Sequence, residues 1–144
     1  MLLRDLLIRS LVAGTLASLA MMPFGMLFRA AQMRVGHYGP KFAGLYLDDP
    51  GTLALFIQHL ALGWISALPL IALLPHLRNL KQRLGAGTLY GALYYVAVNS
   101  LALPLYFGDT LPWLLGPATV LPSLAVHLVF GLVVAWIGMP RQTA

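Results

Sequence analysis

Cysteine is absent from this 144-residue chain, which excludes a disulfide framework, thiolate metal sites and cysteine nucleophiles. Charge is scarce: 9% of residues are charged, against about 25% in soluble domains. Acids are the scarcest charges. The four of them, Asp5, Asp48, Asp49 and Asp109, sit at the ends of apolar runs or between runs. Carboxylate-driven proton pumping needs an acid within the membrane, so a pump of that class is disfavoured. No Walker loop, Ser-His-Asp set, paired intramembrane carboxylates or HExxH motif is present, and no enzymatic activity is expected. The nine Lys and Arg residues are scattered without interleaved aromatics, which argues against nucleic-acid binding.

What remains is apolar: 60% of the residues are hydrophobic. A helix crosses a hydrocarbon core of about 30 Å with roughly 20 residues. Four charge-free stretches meet that need: Leu11–Phe28, Gly51–Leu77, Leu84–Gly108 and one between Asp109 and Arg141. The expectation is an all-α, polytopic integral membrane protein, a single bundle of four transmembrane helices over about 8–29, 51–76, 84–107 and 116–138. A membrane β-barrel would need segments of alternating polarity, and these runs are continuously apolar. Asp49-Pro50 and Gly116-Pro117 read as helix starts, with proline at the first helical position. Pro23, Pro69, Pro104 and Pro122 fall inside the runs as kinks that neighbouring helices can shelter. Arg4, Arg9 and the run ending at Ser18-Leu19-Ala20 imitate a signal peptide, but Asp5 and the continuation to Phe28 favour an uncleaved first helix.

Orientation follows from Lys and Arg counts. With the N-terminus inside, the inner side holds six (Arg4, Arg9, Arg78, Lys81, Arg83, Arg141) and the outer side three (Arg29, Arg34, Lys41). Both termini are therefore expected in the cytoplasm. The loop Ala30–Pro50 mixes Phe28, Met33, Val35, Tyr38, Phe42, Leu45 and Tyr46 with cations. It reads as an interfacial segment, with a lid over a binding site as the functional alternative. Gly14 with Ser18, and Gly87 with Gly91, are small residues four apart that let helices approach closely. Met21, Met22 and Met26 are read as adaptable packing, with copper handling the alternative. Tyr94 and Tyr95 lie deep enough to want hydrogen-bond partners.

The informative polar residues are Gln58 and His59 in the second span, Asn99 in the third and His127 in the fourth. At 1.5 Å per residue, His59, Asn99 and His127 lie about 12, 13 and 16 Å from the outer ends of their helices. Polar groups at that depth turn inward, so one hydrogen-bonded cluster in the outer half of the bundle is expected.

The segments His59 with Trp64, Gly87 to Pro104, and Ala125-Val126-His127-Leu128-Val129-Phe130 resemble the YagU family of small bacterial inner-membrane proteins. In that family a histidine stands at the position of Asn99 here. The resemblance implies an inner-membrane bundle without established chemistry and a link to acid tolerance. Three functions follow. The first is an accessory or envelope-stress protein in the lipid bilayer, with no cofactor, alone, as a homo-oligomer or in a larger membrane complex. The second is a subunit holding haem b or a metal through His59 and His127. The third is a proton- or solute-conducting oligomer lined by Gln58, His59, Asn99, Ser100, Ser123 and His127, the histidines titrating near their ordinary value of about 6.5.

Overall fold

The computed structural model describes residues 2–33 and 38–138. Helices α1 (Leu3–Ala30), α2 (Tyr38–Ala43), α3 (Thr52–Leu73), α4 (Leu80–Tyr94), α5 (Leu103–Phe107) and α6 (Pro117–Ile137) account for nearly all of them. A short 3-10 turn, Leu74–His76, extends α3, and an eight-residue π-helical stretch, Tyr95–Ala102, joins α4 to α5. Four continuous helical runs are thus long and apolar enough to cross a membrane: Leu3–Ala30, Thr52–His76, Leu80–Phe107 and Pro117–Ile137. The protein is an all-α, multi-pass membrane protein.

The helices are built inside-out relative to a soluble bundle. On α1 the buried residues are Ser10, Ala13, Gly14, Ala17 and Ser18, spaced three and four apart on one face. Leu7, Leu11, Val12, Leu16 and Leu19 face outward. Lipid solvates leucine as well as a protein core does, so the interior face is selected for small residues that admit a neighbouring backbone. Ala13, Ala17, Ala67, Leu70, Ile71, Leu74, Phe130, Val134 and Ala135 form the core, at the end of the bundle where α1 begins and α3 and α6 end. There Gly138 approaches Ile71 and Leu74, and an added Cβ would overlap both side chains.

Some helix ends differ from expectation. The second span starts after Gly51, which has an extended backbone and no side-chain cap, so Asp49 does not cap it. The third starts at Leu80, four residues early, because the Asn79 side chain accepts from the Gln82 N–H at 2.9 Å. Lys81 and Arg83 therefore occupy its first turn. Gly116 stands before Pro117 as expected, with φ +92, and Gly108 closes α5 with φ +67; both values favour glycine. Pro104 brings no N–H to the helix ladder, and the widened π register precedes it.

The connectivity is two helix hairpins, α1–α3 and α4–α6, and they repeat one another. Leu11-Val-Ala-Gly-Thr-Leu-Ala-Ser18 and Leu84-Gly-Ala-Gly-Thr-Leu-Tyr-Gly91 share five of eight residues. His59-Leu60, Gly63 and Ala67 recur as His127-Leu128, Gly131 and Ala135. The repeated glycines do the same work. A Cβ on Gly14 would come within 2.7 Å of the Gly63 carbonyl, and one on Gly87 within 2.5 Å of the Gly131 carbonyl. Two hairpins entering from the same side are parallel repeats, related by a pseudo-twofold axis along the membrane normal. The symmetry is imperfect: α1 packs along α6, whereas α3 and α4 touch little. Tyr90 and Tyr94 bridge that seam, Tyr90 donating to the Ser66 carbonyl at 2.5 Å and Tyr94 accepting from the Ser66 hydroxyl at 2.8 Å.

Candidate functional site

Beyond the core, toward the α2 end, the four spans enclose a cavity of about 480 Å³. Gln58, His59, Asn99 and His127 all line it. Much of the wall pairs equivalent positions from the two hairpins: Met21 with Tyr94, Gly25 with Val98, Met26 with Asn99, Leu55 with Ser123, Gln58 with Val126, His59 with His127, and Leu62 with Phe130. Among these seven pairs, histidine alone is the same in both hairpins. The cavity thus sits on the pseudo-twofold axis.

The hydrogen bonds differ from a single cluster. No hydrogen bond joins His59, Asn99 and His127 to one another among the described residues. His59 Nε2 lies 3.2 Å from the Ser18 carbonyl, and His127 Nδ1 lies 2.6 Å from the Ser123 carbonyl on its own helix. A carbonyl oxygen only accepts, so each of these nitrogens carries the proton. In the neutral ring the other nitrogen, His59 Nδ1 or His127 Nε2, is a bare acceptor. The backbone carbonyls outcompeted the cluster because each lies within one helix turn or at a close glycine-lined crossing. The His127 ring is also held between Tyr94, stacked at 5.7 Å and 22°, and Tyr95 at 5.8 Å.

Gln58 is turned away from the histidines. Its amide donates to the Gly39 carbonyl at 2.9 Å, and its oxygen accepts from the Tyr46 hydroxyl. It fastens the first loop over the cavity. Tyr38, Gly39 and Phe42 of that loop line the cavity, so the segment covers the site, and Tyr38 is buried. Tyr38 stacks on Phe107 at 6.0 Å, and Lys41 pairs with Asp109 at 2.5–2.6 Å, tying α2 to the end of α5. Burial first, then the negative Asp109 carboxylate that accepts its hydrogen bond, pushes the Tyr38 phenol up to about 12. Arg34, Val35 and Arg141 lie outside the described residues.

Other polar groups are uneven. Trp64, near mid-membrane, donates to the Thr15 hydroxyl at 2.8 Å. Tyr94 finds Ser66, but among the described residues the buried Tyr95 hydroxyl has no partner, nor do those of Ser10, Ser18 and Ser100. Among the described residues no group of three His, Cys, Asp or Glu side chains converges as a metal site. The loop residues Tyr38 and Phe42, and the wall residues Ser18 and Tyr94, were not among the expected site residues. The repeat of Ala-Gly-Thr-Leu and of His-Leu-x-x-Gly in the sequence was the signal that would have placed the two histidines as a pair.

The chain matches no protein-family model, no curated protein and no solved structure. The resemblance to the YagU family therefore rests on the residues that suggested it.

Proposed function

We propose that this protein is a non-enzymatic binding protein of a bacterial plasma membrane, which takes a small lipophilic molecule from the outer half of the bilayer into the cavity between its hairpins. The observation that carries this reading is the cavity, with a polar floor around His59, Asn99 and His127 and an apolar mouth at Met22, Met26 and Phe42. Met26 is 68% exposed while lining it, so the mouth reaches the surface that faces lipid. The space opens to the lipid-facing surface through that mouth, and its volume suits a drug-sized molecule. The Lys and Arg excess supports cytoplasmic termini, which puts the mouth in the outer leaflet.

Haem or a metal on the bare nitrogens of His59 and His127 is the second reading, since metal-binding histidines commonly donate their other N–H to a carbonyl. An absorbance band near the Soret position, or metal in the natively purified protein, would decide for it. The binding reading is tested with single cysteines in this cysteine-free chain. Val98→Cys, in the cavity wall, should react with a maleimide in proteoliposomes, and Leu93→Cys, on the lipid side, should not. Equal silence of both would refute a hydrated, accessible cavity.

A further inference from the structure

The chemistry of the cavity floor narrows the class of molecule. His59 Nδ1 and His127 Nε2 have no hydrogen-bond partner among the described residues, while the opposite nitrogen of each ring is held on a backbone carbonyl. Each ring is thereby held in a tautomer whose other nitrogen is a bare acceptor, and both residues line the cavity. A molecule that engages both nitrogens must bring hydrogen-bond donors. It must also be neutral. Arg29, at the outer rim, is the one charged residue lining the cavity among those described. An ion on the floor would thus be desolvated without an opposite charge beside it, which disfavours it.

Shape adds two constraints. The histidines occupy equivalent positions of the two hairpins and line the same cavity, so a ligand with two separate donors can engage both. Tyr94, Phe130, Met21 and Met22 give the walls aromatic and thioether surfaces, which favour a flat ring through stacking and sulfur contacts, beside the polar points Asn99, Ser66 and Ser123. The apolar mouth past Met26 leaves an exit for a hydrocarbon tail.

We infer that the cavity binds a lipophilic hydroquinone, its two hydroxyls donating to His59 Nδ1 and His127 Nε2 and its tail passing between Met22 and Met26 into the bilayer. This rests on the cavity being an accessible binding site. No electron transfer is involved in the inference, only recognition.

The test uses the full chain in detergent under anaerobic, reducing conditions, with decylhydroquinone and its dimethyl ether as probes. The ether keeps ring and tail but has no donors. Saturable one-to-one binding of the hydroquinone is expected, with the ether at least tenfold weaker. His59→Phe and His127→Phe should each weaken hydroquinone binding at least tenfold and leave ether binding within about twofold. Should a histidine variant fail to fold, the hydroquinone-to-ether ratio of the unaltered chain decides alone. Equal binding of the two probes would mean apolar partitioning and overturn the inference, as would histidine variants that bind like the parent. A reactive Val98→Cys with no hydroquinone binding would overturn this inference and spare the cavity reading; an inert one would remove both.

Discussion

Replacing Gly87 with alanine drives one methyl group into the backbone of the fourth span. The new Cβ would stand 2.5 Å from the Gly131 carbonyl oxygen, 2.6 Å from the Ala135 Cβ and 3.0 Å from the Gly131 carbonyl carbon. Ordinary contacts between such atoms are about 3.5–4.0 Å, so α4 and α6 must separate by roughly 1 Å where they cross. Two of the three obstacles are backbone, which no rotamer change can move. Overpacking of this kind costs about 1–3 kcal/mol, and the loosened crossing also forfeits dispersion contacts along both helices. For a chain of this length that is roughly a 3–10 °C loss in melting temperature. Gly85 provides the control on the same helix, since a Cβ there meets nothing within 4 Å. Gly85→Ala should be neutral or gain about 0.4–1 kcal/mol through reduced unfolded-state entropy. The assay is thermal unfolding of both variants in detergent, side by side. If Gly87→Ala melts with Gly85→Ala, the close crossing does not exist and the depth assigned to His127 falls with it. Gly91→Leu should be worse still, because its Cβ would overlap the His127 carbonyl itself.

Gly14→Ala, at the equivalent crossing of the first hairpin, should lower the melting temperature by a similar amount; an unaffected protein would contradict the repeat. Cysteines at Gln82 and Gly39, reacted with an impermeant reagent in intact cells, should label at Gly39 only, and the reverse pattern would invert the topology. Tyr38 supplies a pH test. Its unfolded phenol ionises near 10 and its folded one at about 12, so the folded chain keeps a proton that the unfolded chain has released between those values. The stabilisation is complete below pH 10 and disappears as the pH rises through 12. Tyr38→Phe should flatten that alkaline decline in melting temperature, and an undiminished decline would assign it to other groups.

The four spans were legible because the bilayer imposes one severe rule: a crossing segment must be long, apolar and internally hydrogen-bonded. Composition alone carries that rule, and Leu84–Gly108 or Gly51–Leu77 could hardly be anything else. Helix ends were less legible. A proline after an aspartate suggested a cap at Asp49, yet the chain begins its helix two residues later, and Asn79 captured the start of α4 that the charges of Lys81 and Arg83 had hidden. Rise per residue placed His59, Asn99 and His127 near one level, and they do line one cavity. Depth along the membrane normal is one coordinate, however, and it says nothing about which atom a side chain will bond.

Sequence by itself thus determined the class, the number of crossings and the small-residue faces, all consequences of local composition and of the helical period. Tertiary structure alone decided three things. It gave each histidine to a backbone carbonyl, that of Ser18 across the first hairpin's crossing and that of Ser123 one turn back on its own helix. It sent Gln58 to Gly39 and Tyr46, closing the first loop over the site. It also left the space between the hairpins open, since glycine crossings pull each pair together at Gly14 and Gly87 while α3 and α4 touch little and are bridged by Tyr90, Tyr94 and Ser66. Partner choice and cavity shape depend on how helices cross, and a crossing is set by contacts between residues dozens of positions apart, which no local pattern encodes.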